Sequence, residues 1–163
     1  MDCKDLFGYF KRERDGLVQT LGNLPSEEFT KNRGLSFESI KDVLAHTVMV
    51  EDIWLHYRAA GKPGGVSRRL EEFKDLQDIK EYMGEVDAKT AALLDRTAEA
   101  DLRREVKFTR GDGKEESYTL EEILCHVPVE VIHHYGEIFA ELWKMGISAP
   151  YYSYLAYSKA KTA

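Results

Sequence analysis

The chain is poor in the residues that mark export, membrane insertion or nucleic-acid binding. Cysteine is scarce: Cys3 and Cys125 are the two in 163 residues, far apart in sequence. That spacing excludes a disulfide framework and fits a reducing cytoplasm. Long apolar runs are missing too. None approaches the ~20 residues that a membrane span needs. The opening segment MDCKDLFGYFKRERD is charged throughout and lacks the apolar core of a signal peptide. The expectation is a cytoplasmic protein without membrane attachment. Positive charge is also short, with a net charge of −6 and basic residues scattered rather than striped. A protein that neutralises phosphates needs a local basic surface, so nucleic acid is not the expected partner. Repeats and low-complexity linkers are absent, and residues 1–163 read as one domain of a length that buries a sizeable core.

What is present is apolar periodicity. Phe7, Phe10, Leu17 and Leu21 fall on one stripe of a helix from about Asp5 to Leu21, with Arg14 inside the stripe. Pro25 breaks it and Ser26 offers a new cap. A second helix runs from Ser39, its N-cap with Asp42 three residues on, to about Ala60. It is apolar on most sides, which predicts a central position. GKPGG ends it. The third helix, from about Leu76 to Ala98, repeats Leu76, Ile79, Met83, Val86, Thr90, Leu93 and Thr97 at three-and-four spacing, the seam of an antiparallel bundle. EVKFTRGDGKEESYT then alternates around Asp112-Gly113 and reads as a short hairpin, which must pack on the bundle to be stable. Thr119 and Glu122 form a capping box for the last helix. That helix runs to about Lys144 and ends at Gly146.

The last helix carries HVPVEVIHHYGEIFAELW. Four residues advance about 40° around a helix, so His126, Glu130 and His134 form one polar strip. Glu137 lies on the same strip, and His133 points elsewhere. His46 is the histidine inside the apolar second helix. If the two helices are neighbours, His46 meets the strip, and two imidazoles with one carboxylate suit a divalent metal. The same residues would equally make a buried hydrogen-bonded network that binds nothing.

SFESIKDVLAHTVMVEDIWL together with LEEILCHVPVEVIHHYGEI resembles the DinB/YfiT-like superfamily of damage-inducible helical bundles, over essentially the whole chain. Ser39, His46 and Trp54 match its second-helix pattern. The resemblance implies an all-α, four-helix bundle of up-down-down-up connectivity with a short β-hairpin before the last helix, and frequent homodimers. It implies metal ligation by His46, Glu130 and His134, with His126 and Glu137 as supporting residues. The family commonly shows three histidines at four-residue spacing followed by Arg-Gly-Gln. Here Glu130 replaces the middle histidine, and Tyr135-Gly136-Glu137 replaces the tripeptide. A carboxylate there lowers the charge of the site and shifts preference toward harder metals. Zinc or nickel is the first expectation, with manganese or iron as alternatives, alongside a low-molecular-weight thiol.

Other residues keep two readings. Arg14 either binds a substrate or pairs with a buried glutamate. Pro128 removes a bond to Leu124 and either aims Glu130 through a kink or is tolerated as curvature. Cys125 reads as a small buried hydrophobe. His56 reads as a surface residue, and His133 as outward-facing. Tyr151, Tyr152, Tyr154 and Tyr157 cover the bundle or join a dimer interface. Two functions follow. One is a metal-dependent enzyme acting on a small molecule, as a thiol-dependent S-transferase or a hydrolase. The other is a non-catalytic stress-response or small-ligand-binding bundle.

Overall fold

The computed structural model describes residues 3–62, 68–149 and 153–161. Helix α1 (Cys3–Leu21) is followed by the short α2 (Ser26–Thr30), then α3 (Ile40–Asp52), α4 (Leu76–Arg96), strands β1 (Glu105–Thr109) and β2 (Glu115–Thr119), α5 (Leu120–Lys144) and α6 (Tyr154–Ala160). No helix of the described residues is long and apolar enough to cross a membrane.

Local chemistry sets most of the boundaries. The Ser39 hydroxyl accepts the Asp42 amide at the start of α3, and Asp75 does the same for Gln77 and Asp78 at the start of α4. At α5 the capping box is complete: Thr119 Oγ1 accepts the Glu122 amide, and the Glu122 carboxylate accepts the Thr119 amide at 2.7 Å. The same helix ends in a Schellman pair. Ile147 N–H donates to the Leu142 carbonyl and Gly146 N–H to that of Trp143, with Gly146 at φ 73°. α5 continues through Pro128 as one helix, so the proline is tolerated. Ser26 is not the cap of α2. Pro25 holds that position, without a side-chain hydrogen bond.

Helix directions follow from the contacts. Cys3 meets Cys125 at the start of α5, and the pairing continues toward Arg14 and Tyr135, so α1 and α5 run the same way. His46 faces His134 while Trp54 faces His126, so α3 is antiparallel to α5. Glu51 meets Thr90, and Lys41 meets the chain just before α4, so α4 runs with α3. The connectivity is up-down-down-up, as the resemblance implies. Leu17, Ile40, Leu44, Ile79, Val127 and Ile138 fill the interior and are fully buried. Each such side chain contributes about 1.5–3 kcal/mol relative to exposure.

Two regular expectations give way to local departures. α3 does not stay α-helical to Ala60: residues Ile53–Arg58 form a π-turn, with Ala59 N–H donating to the Trp54 carbonyl. The changed register turns His56 inward. It is half-buried and bonds Thr90 Oγ1 through Nε2 at 3.1 Å, which corrects the surface assignment. α4 stops at Arg96, and a 3-10 turn over Glu99–Arg103 leads into the hairpin. β1 and β2 pair antiparallel, with Val106 opposite Tyr118. The hairpin is anchored by buried Val106 and by Phe108 set edge-on to Trp54 at 5.4 Å.

The tail packs on α1. Tyr154 and Tyr157 both contact the Tyr9 ring, while Tyr151 and Tyr152 lie outside the described residues. Gly8 makes room for this docking, because a Cβ there would collide with the Tyr157 hydroxyl. Gly8→Ala is expected to push the Tyr157 ring aside and loosen α6. The gain in helix propensity, about 1 kcal/mol, offsets the lost aromatic contacts, about 0.5–1.5 kcal/mol each. The melting temperature should therefore move little, while limited proteolysis should cut near α6 much faster.

Candidate metal centre

His46, Glu130 and His134 converge in the groove between α3 and α5. One ligand atom from each lies within 4.8 Å of the others. α5 presents Glu130 and His134 one turn apart, with Glu130 Oε1 3.5 Å from His134 Nε2. That is too long for a good hydrogen bond. It is close to the ~3.3 Å that separates two ligands of one tetrahedral zinc at about 2.0–2.1 Å. Glu130, whose side chain is 41% exposed, has room to adjust toward the two imidazoles.

The other ring nitrogen of His134 is already committed. Nδ1 lies 2.7 Å from Glu137 Oε1, and Glu137 also accepts the Ser36 amide at 3.1 Å and the Ser36 hydroxyl at 2.8 Å. Burial opposes the charge on Glu137. The Ser36 amide, His134 and the Ser36 hydroxyl outweigh that burial and hold the carboxyl below the usual range. An ionised carboxylate can only accept, so Nδ1 carries a proton, and Nε2 is the ring nitrogen on the Glu130 side. Such carboxylate–histidine pairs orient metal ligands, and their loss typically costs about 10–100-fold in affinity. Glu137→Gln is expected to weaken zinc binding by that factor with the fold intact, as read by competition with a chromogenic chelator.

His46 is held by rings. Phe37 stacks on it at 3.8 Å and 20°, and His134 meets it edge-on at 4.8 Å and 82°. Burial, then the neighbouring His134, lowers its pKa from 6.5 to about 4. It is therefore neutral at pH 7, the form a metal requires. The same shift sets a pH dependence. Between about pH 6.5 and 4 the unfolded chain takes up a proton at His46 that the folded chain refuses. The metal-free protein should thus hold its stability above pH 6.5 and lose it on acidification through this window. His46→Gln should flatten that slope in urea titrations.

A tight turn supplies the far wall. Glu38 N–H donates to the Leu35 carbonyl at 3.0 Å, and Arg33 N–H donates to that of Glu38 at 2.8 Å. Glu38 takes a left-handed φ of 66°, a strain on the order of 1–3 kcal/mol for a non-glycine residue. The turn delivers Ser36 to Glu137 and Phe37 to His46. Neither residue carries a sequence signal beyond its position just ahead of the Ser39 cap.

Other expected site residues lie elsewhere. His126 does not join the ligand group. It is exposed, and its ring meets Trp54 at 4.8 Å, because α5 crosses the π-turn there rather than α3 proper. With Trp54, Arg110, Tyr118 and Glu122 it lines a cleft of about 420 Å³. Arg14 is fully buried between Glu51 and Asp87, so its pairing with a buried glutamate is realised. His133 is exposed, as its angle predicts.

The family profile described as the DinB family matches residues 1–162. The chain belongs to the DinB family. A DinB-like protein from Bacillus cereus, known from its crystal structure, has the same fold. The two align with a TM-score of 0.68 at 15% identity, covering 91% of this chain and 95% of that one. Comparison with curated proteins gave no match. In this DinB chain the helix directions agree with the bundle connectivity that the sequence resemblance implies.

Proposed function

We propose that this DinB protein is a metal-dependent enzyme holding one divalent cation on His46, Glu130 and His134, and that it acts as a thiol-dependent S-transferase or a hydrolase on a small molecule. The observation that carries the proposal is the convergence of three ligand atoms within 4.8 Å, with His134 oriented by Glu137. A bound divalent cation with an open position would act as a Lewis acid and lower the pKa of a thiol or water. The chain's own residues do the rest. Glu137 balances the positive charge that grows on His134. Phe37 shields His46 from water on one face. The cleft beside Trp54 and His126 lies on the order of 10 Å from His46, past the end of α3 and into the π-turn. Its volume of about 420 Å³ suits the organic part of a small substrate. Exposed Val129 and Trp143 on the outer face of α5 support a homodimer, which light scattering tests.

The activity is tested by following free thiol in a mixture of a low-molecular-weight thiol and an electrophile, with protein loaded in turn with zinc, nickel and manganese. The proposal expects thiol consumption, or hydrolysis without thiol, well above that of the chelator-treated protein. Equal rates with and without metal, accompanied by a thiol-induced thermal shift, would instead support a non-catalytic binding protein.

A further inference from the structure

The two cysteines, which the sequence separates, meet in the fold. Because α1 and α5 run in the same direction, the first residue of α1 packs beside the second turn of α5. Cys3 Sγ and Cys125 Sγ are 3.3 Å apart across 122 positions. Both are free thiols, and Cys125 is half-buried rather than the buried hydrophobe the sequence suggests. A disulfide needs about 2.05 Å between sulfurs, so an approach of about 1.3 Å would join them. Cys3 can supply it, since it opens α1, where the backbone amides have no partner within the helix. We infer that Cys3 and Cys125 form a dithiol site that a low-molecular-weight disulfide closes to an intramolecular disulfide, tying the start of α1 to α5.

The two thiols differ in access, which sets the order of events. Cys3 is buried. Burial first, and contact with Cys125 second, push its thiol up to about 12. Cys125 is therefore the entry point. Its thiolate attacks one sulfur of the incoming disulfide, forms a mixed disulfide and expels the other half as a thiolate. Cys3 then gives up its proton and attacks Cys125 Sγ, and the second half leaves. Two protein thiols are oxidised, and one small disulfide is reduced to two thiols. With Cys125 capped, its contact no longer opposes ionisation of Cys3, but burial still does, so ring closure is the slower step. The new bond encloses most of the chain, where restriction of the unfolded state is greatest. The inference is independent of the metal and is tested with chelator present.

The test incubates the full chain with glutathione disulfide, traps remaining thiols in denaturant and reads intact mass and peptides. The expected product is a monomer lighter by two hydrogens, with a peptide linking Cys3 to Cys125. Its melting temperature should be several degrees higher, and dithiothreitol should reverse both changes. Cys3→Ser, nearly isosteric, should stop at the mixed disulfide on Cys125, and Cys125→Ser should lose the reaction. Native protein that keeps both thiols under excess oxidant, stops at the mixed disulfide, or links only between chains would overturn the inference.

Discussion

Replacing Arg14 by methionine is expected to lower stability by about 3–5 kcal/mol, the cost of leaving a buried charge without its partner. Against a typical total of about 5–15 kcal/mol, that is enough to unfold a marginal domain. Arg14 is 1% exposed and Glu51 is 0% exposed. One guanidinium nitrogen lies 3.3 Å from Glu51, and the other lies 2.6 Å from both oxygens of Asp87. Without Arg14, Glu51 keeps the Thr90 hydroxyl at 2.6 Å, and among the described residues no other cation forms an ion pair with it. Asp87 can turn to water and Lys11, so the penalty falls on Glu51. Burial already raises the Glu51 pKa, with Arg14 opposing it. The variant should raise it further, so its deficit should grow as pH rises above the ordinary carboxyl range and shrink in acid. Arg14→Met with Glu51→Leu should recover most of the loss, because a buried pair is often replaceable by apolar packing. Urea denaturation of the three proteins at pH 5 and pH 8 checks the account. A single-variant loss below about 1 kcal/mol, the range of surface pairs, would contradict it.

The second large effect concerns the metal site. His134→Ala removes a proposed ligand, whereas Glu137→Gln removes only the support of one. Its loss of affinity should therefore exceed the ~10–100-fold of outer partners. His46→Ala should act alike from the opposite helix. Glu130→His is the informative reciprocal. A histidine there gives the three-histidine spacing that the resemblance implies and should strengthen binding of zinc and nickel relative to manganese, since imidazole suits the former and carboxylate the harder ions. Titration of the three metals into each variant, with circular dichroism as the fold check, distinguishes these outcomes. Unchanged selectivity in Glu130→His would remove Glu130 from the ligand set.

What the sequence disclosed was mainly local chemistry. The Ser39 cap, the Thr119–Glu122 box and the Gly146 terminus each depend on residues within a few positions, and all three hold. The polar strip was legible because helical spacing alone sets which side chains share a face. The meeting of His46 with His134 needed helix adjacency, which spacing cannot supply and the family resemblance could. Three features depended on geometry that no pattern encodes. The π-turn after Asp52 redirected His56 and set Trp54 against His126. The strained turn at Glu38 brought Ser36 and Phe37 to the site. Parallel packing of α1 on α5 joined the two cysteines. Sequence distance misled most where direction of packing mattered most.

The central claim is that His46, Glu130 and His134 hold one divalent ion. Its most direct test is elemental analysis of protein purified without chelators, followed by equilibrium dialysis of native and doubly substituted His46→Ala/His134→Ala protein against zinc, nickel and manganese. The account predicts one equivalent of divalent metal per native chain and none in the folded double variant. A native chain that neither carries nor takes up metal, or a variant that binds it equally well, would contradict it.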